Sequence, residues 1–275
     1  MKKRSKTAKI VINVILALLT VVWVFPLIFA VFTSFKSKQD YALSNFWDWP
    51  KANFLLDNFQ YVQDNADLLT GMLNSLLYSF CAAFFCVAIA LLAAYAIAHL
   101  QIKFRMFWFL FIYSGTIFPL QIYLIPVYKG YSSLGLFDTK LGMALFYIAV
   151  CVPFALFVFR NFFIDIPAEI CESAKIDGAS DLGILLRIML PMATAPVSVV
   201  FLTQFAWSWN DLMFGLTFTK SFDVRPVMSA LAQMGQQHLP ALMLGCAVAR
   251  FQPWPCSLSS KGTLKQGLSI RRNKI

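Results

Sequence analysis

Charge is scarce in this chain. Lys, Arg, Asp and Glu make up 13% of its 275 residues while 59% are hydrophobic; an average soluble domain is about a quarter charged and a little under half apolar. A water-soluble globule is excluded. A G-x-x-x-x-G-K-[ST] phosphate loop is also missing, so nothing suggests that the chain hydrolyses nucleotide itself. The two histidines, His99 and His238, stand alone at the ends of apolar runs. No Ser/His/Asp arrangement and no His/Cys metal spacing can be read, so no catalytic residue, metal site or cofactor is expected in this chain. The six cysteines (Cys81, Cys86, Cys151, Cys171, Cys246 and Cys256) form no CxxC pair and read as small apolar packing groups. Ten-residue alternating segments, the mark of a membrane barrel, are absent.

Long apolar runs are what the chain has instead. They cover residues 10–32, 68–100, 106–127, 141–159 and 190–209, with a sixth run starting at Ala241. Each of the first five approaches the roughly 20 residues needed to cross hydrocarbon. The expected fold is therefore all-α, a polytopic membrane protein of six spans. Residues 1–67 would hold a basic tail, the first span and an external loop, 68–260 the main transmembrane domain, and 261–275 a second basic tail. Pro119 and Pro126 fall inside the third run and predict a kink.

The net charge of +10 is concentrated in the two tails. Lys2, Lys3, Arg4, Lys6 and Lys9 precede the first run, and Lys261, Lys265, Arg271, Arg272 and Lys274 follow the sixth. Basic clusters beside apolar runs report orientation, so both tails are placed in the cytoplasm and no nucleic-acid partner is expected. The first run exceeds a signal-peptide core and has no A-x-A-like site behind it, so it reads as a retained span.

One structured polar passage interrupts the apolar pattern, at residues 167–191, PAEICESAKIDGASDLGILLRIMLP. By alternation of the spans it is cytoplasmic. Pro167 suits a first helical turn, Gly178 a left-handed helix end, and Ser180 or Asp181 the cap of a second helix. Two short helices hinged at Asp177-Gly178 result. A partner grasping the first could tilt the helices behind it; an amphipathic linker resting on lipid headgroups would have the same composition.

Glu172-Ser173-Ala174, then Gly178, then Ile188-Met189-Leu190-Pro191 resembles the EAA motif, E-A-A-x3-G-x9-I-x-L-P, of the membrane subunits of binding-protein-dependent ABC importers. Ser173 in place of the first alanine is the one departure. Asn74-Ser75 and Trp207-Ser208-Trp209-Asn210-Asp211 resemble the carbohydrate branch, in particular the smaller maltose-type permease subunit. The resemblance implies a type I importer fold with a cytoplasmic coupling helix. Its partners would be a second permease, a dimer of cytoplasmic ATP-binding subunits and an extracytoplasmic solute-binding protein that delivers a sugar. It implies ATPase coupling through Glu172, Ser173, Ala174, Asp177, Gly178, Ile188, Leu190 and Pro191, and a substrate pathway that includes Asn74, Trp209 and Asn210. The protein would sit in a bacterial inner or plasma membrane, in contact with lipid.

Energy supply agrees with that picture. The central parts of the expected spans contain no Asp, Glu, Lys or Arg, whereas ion-coupled pumps need ionisable groups at membrane depth. Work would have to come from a partner, although a passive channel or a secondary transporter remains as the alternative. Aromatic residues of the third and fifth runs (Phe107, Phe109, Tyr113, Phe118, Phe205, Trp207 and Trp209) suit either sugar stacking or interfacial packing.

The sixth run departs from the family. Arg250-Phe251-Gln252-Pro253-Trp254-Pro255-Cys256 interrupts it, yet Lys265-Gln266-Gly267-Leu268-Ser269-Ile270 again resembles the family's tail. A lost apolar core between recognisable flanks is what two compensating reading-frame shifts would leave. Resequencing tests this: the idea fails if no apolar span appears in a neighbouring frame.

Overall fold

Apolar length becomes helix because backbone N–H and C=O groups must be paired within the segment when water is absent. A computed structural model describes residues 6–45 and 47–250, with no strand among them. In chain order the helices are α1 Lys6–Thr33, α2 Lys38–Leu43, α3 Leu55–Ala66, α4 Leu68–His99, α5 Arg105–Tyr113, α6 Leu124–Leu134, α7 Lys140–Ile164, α8 Ala168–Ile176, α9 Asp181–Ile184, α10 Leu190–Met192, α11 Thr194–Trp209, α12 Met213–Phe218, α13 Val227–Gln233 and α14 Leu239–Arg250. Two 3-10 turns, Ser114–Thr116 and Leu120–Tyr123, separate α5 from α6, and a π turn, Leu185–Met189, separates α9 from α10.

The described residues divide into two units. The first holds residues 6–69 and 230–250. There α14 packs against both α1 and α3. Gly245 makes the fit to α3 possible, since a Cβ at that position would stand 3.2 Å from a Val62 methyl. Asn58 is buried and donates its amide to the carbonyls of Ser34 (2.8 Å) and Lys36 (2.9 Å), which ties α3 to the chain leaving α1. The rings of Tyr61 and His238 lie 4.5 Å apart.

The second unit, residues 70–229, contains the core. Tyr78, Ala82 and Ala90 of α4, Tyr147, Leu156, Phe159 and Phe163 of α7, and Ile184, Leu185 and Met189 of the 167–191 passage share one buried cluster. In its most apolar stretch no residue of α1 is buried inside the chain, against 44% for α4 and for α7.

Among the described residues three helices are long and apolar enough to cross a membrane unbroken: Lys9–Thr33, Leu68–His99 and Lys140–Ile164. Two bent helix pairs are apolar enough only when each is taken as one span. Arg105–Thr116 and Leu120–Leu134 meet at 91° around Pro119, whose ring keeps Phe118 out of the helical region and whose nitrogen donates nothing. The helical structure that begins in the third run is thus broken at Pro119 and continues past residue 127 to Leu134.

The fifth run also differs from expectation. The run of residues 190–209 is not one continuous helix: Asp181–Met192 and Thr194–Trp209 meet at 81°. Pro191 cannot pair with the carbonyl of Arg187, and the preceding residues widen into the π turn. Beyond Asn210 the chain forms α12, whose Phe214 and Phe218 are each 1% exposed. The sixth apolar helix, Leu239–Ala249, is short; the interruption and basic tail beyond Arg250, with Cys256, lie outside the described residues, as does the basic cluster of residues 1–5.

Candidate functional site

The elbow at residues 167–191 begins where α7 runs out. Ile166 is buried, and Pro167 takes the extended cap position (φ −56°, ψ 133°) before α8. Glu169 stands in the first turn and Lys175 in the last, each where its charge complements the helix dipole. One face of α8 is seated on the bundle. Cys171 and Ala174 are buried with Tyr95 and Phe163 in the core cluster. Burial pushes the Cys171 thiol above its ordinary pKa, so it acts as an apolar packing group. The small side chain of Ala174 lets α8 approach its own bundle closely. The opposite face, with Glu172, Ser173 and Lys175, is exposed.

A Schellman turn ends α8. The N–H of Gly178 donates to the carbonyl of Lys175 (3.0 Å), and that of Ala179 to the carbonyl of Ala174 (2.9 Å). The motif requires a left-handed residue, and Gly178 has φ +84°, a conformation open to glycine at little cost. Nothing lies within 4 Å of where its Cβ would be. The glycine is required by the backbone and not by crowding within the chain. Ser180 then caps α9 by accepting from the N–H of Gly183 (3.2 Å). Of the two candidate caps, the structure chooses Ser180 over Asp181.

Asp181 braces the turn instead. Its Oδ1 pairs with Lys175 Nζ at 2.9 Å and accepts from the Tyr95 hydroxyl at 3.4 Å. Both partners of the ion pair are about half exposed, so it contributes at most about 1 kcal/mol. Beneath the elbow, His99 Nε2 meets the Phe163 carbonyl at 3.0 Å, which joins the ends of α4 and α7. Ile188 and Leu190 pack partly buried against the core, while Pro191 is exposed and forces the bend already described. One feature escaped the reading of the sequence: Ile176, the last residue of α8, is 87% exposed. Its place just before a charged turn made it look like an ordinary helix end.

The expected pathway residues occupy different settings. Asn74 is 2% exposed and donates its amide to the carbonyls of Asp223 (2.9 Å) and Arg225 (3.2 Å). Trp209 is buried and stacked beside Phe205, with ring centroids 6.0 Å apart. Asn210 is exposed and lines a cleft of about 670 Å³ with Gln121, Trp207 and Asp211; neither Asn74 nor Trp209 borders that cleft.

The described residues thus combine long apolar helices, two sharply bent apolar helix pairs and one polar elbow. The chain belongs to the family of binding-protein-dependent transport system inner membrane components, which it matches over residues 71–251. It is therefore a multi-pass membrane protein and a transport component. It is 30% identical over 239 residues (85% of this chain and 80% of the relative) to the osmoprotective compounds uptake permease protein GgtD of Synechocystis sp.. With the alpha-glucoside transport system permease protein AglG of Rhizobium meliloti it shares 33% identity over 181 residues, 64% of this chain and 48% of that one. In the crystal structure of a bacterial ABC transporter involved in the import of the acidic polysaccharide alginate, one chain aligns with a TM-score of 0.75 at 19% identity, covering 97% of this chain and 99% of that one. That likeness establishes the shared fold.

Proposed function

We propose that this chain is one of two permease subunits of an ATP-driven sugar importer, and that α8 is the helix through which a separate ATPase moves it. The observation that carries this reading is the build of the elbow. Its apolar face is seated on the ends of α4 and α7, its polar face is free, and its turn leaves open space at Gly178. Glu172, Ser173, Asp177 and Gly178 would meet the ATPase, with Ile176 as an exposed apolar anchor among them. Ala174, Ile188, Leu190 and Pro191 would transmit the contact, since they join the helix to the bundle. The partners are a second permease, a cytoplasmic ATPase dimer and an extracytoplasmic binding protein. The elbow and the N-terminus lie on the cytoplasmic side of a bacterial cell membrane, and the fuel is spent in the partner, without a cofactor here. A sugar substrate is supported by the alpha-glucoside and alginate systems to which the chain is similar.

The test replaces Gly178 with leucine and follows ATPase co-purification and sugar uptake together. Loss of both is expected, and wild-type values for both would remove the assignment. Uptake that persists after deletion of the ATPase gene would indicate a passive pore instead.

A further inference from the structure

The break in the third crossing opens a cavity of about 320 Å³ between the α5–α6 junction, α7 and α11. Its walls include Phe118, Phe154 and Trp207, and its polar groups include Thr116, Thr203 and Gln204. Among the described residues no Asp, Glu, Lys, Arg or His lines it. Gln204 is 6% exposed, yet its side-chain amide has no hydrogen-bond partner among the described residues. An amide left unpaired at membrane depth is costly, and an acyl chain filling the cavity would leave it so. A hydroxylated ligand would satisfy it.

The hydroxyls of Thr116 and Thr203 donate to Tyr113 (2.8 Å) and Val199 (2.7 Å) of their own helices, so their oxygens remain able to accept. Trp207 and Leu120 also border the neighbouring 670 Å³ cleft, which carries Gln121 and Asn210. The two spaces therefore adjoin, with the indole of Trp207 at their boundary. Irregular backbone within a membrane is tolerated where it lines a cavity, and discontinuous spans commonly frame substrate sites.

We propose that Gln204, Thr203 and Trp207 form a binding site for one ring of an uncharged sugar. The Gln204 amide donates to and accepts from ring hydroxyls, Thr203 Oγ1 accepts, and Trp207 stacks on the ring's apolar face. The volume is at the lower end of the roughly 300–1,000 Å³ of ligand pockets, which suits a single ring. The absence of charged side chains in the lining disfavours acidic sugars. The inference rests on the sugar-importer reading and adds to it the residues and the charge class of the substrate.

The test uses the complete importer in cells, with radiolabelled neutral mono-, di- and trisaccharides and with glucuronate and galacturonate as charged probes. Gln204→Leu removes the amide at nearly constant volume. Uptake of the transported neutral sugar is expected to fall about tenfold, with ATP hydrolysis stimulated by the binding protein near the wild-type level. Trp207→Phe is expected to raise the half-saturating concentration about threefold, and it decides the matter alone if Gln204→Leu does not reach the membrane. Wild-type uptake of a neutral sugar that both variants match overturns the site and leaves the importer reading intact. Preferred uptake of a uronate overturns the charge class, and a wild-type importer that moves no sugar overturns both readings.

Discussion

Two polar regions of the 70–229 unit are built in opposite ways. Between α12 and α13 the chain is fastened by buried side chains of distant helices. Asn74 holds the carbonyls of Asp223 and Arg225, Tyr78 donates to that of Val224 at 2.7 Å, and Ser75 accepts from the N–H of Val227 at 2.9 Å. Asp138 accepts from the N–H groups of Lys220 (2.7 Å) and Ser221 (3.0 Å), and the Tyr147 hydroxyl donates to Asp211 at 2.8 Å. The elbow has a Schellman turn, one cap and one half-exposed ion pair, all within a few residues of one another. The first region spends most of its polar groups internally. The second leaves Glu172, Ser173, Lys175 and Asp177 in the open, where another protein can use them. Burial of polar groups therefore separates a fastening from a handle.

That contrast can be broken by substitution. Asn74→Ala removes the donor from the buried Arg225 carbonyl and from the part-buried Asp223 carbonyl, the first of them at about 1–3 kcal/mol. It should lower the melting temperature in detergent by more than any elbow variant while co-purification of the ATPase persists; an unchanged melt would show that the fastening is not structural. Gly178→Leu meets no atom of the chain but forces a left-handed leucine, at about 1–2 kcal/mol. It should lower the melt modestly and abolish uptake, whereas Gly178→Ala should share the strain and retain part of the uptake. Lys175→Met removes an ion pair worth at most about 1 kcal/mol, and a melt shifted as far as by Asn74→Ala would contradict the exposed character assigned to the elbow. Ile176→Ser should leave the melt unmoved and weaken ATPase co-purification. If co-purification is retained, Ile176 is not part of the docking face.

The elbow was legible because its instructions are local. Pro167, Gly178 and Ser180 punctuate about a dozen residues, and each acts on its own neighbours. The fastening was not, because the bonds of Asn74 reach residues 149 and 151 positions away, and no periodicity in the sequence encodes such a pairing. Proline gave intermediate results. Pro119 announced a kink but not a bend of 91°. Pro191 opens the fifth run in the sequence, yet the π turn before it and the 81° bend after it are not written in the apolar pattern. Ile176 and Gln204 were missed for a common reason. What matters about each is the lack of a neighbour, which a sequence does not display.

The fourth helix has a consequence for how force travels. Its 32 residues extend about 48 Å at 1.5 Å per residue, well past the roughly 30 Å of hydrocarbon, and no proline interrupts it. Near one end Asn74, Ser75 and Tyr78 grip the 223–227 segment; near the other, Tyr95 touches Asp181 and His99 meets the end of α7. It is a strut clamped at both extremities. On the proposed coupling, a shove delivered at α8 would arrive at the 223–227 end as the displacement of a single stiff rod, with no relay of side chains in between.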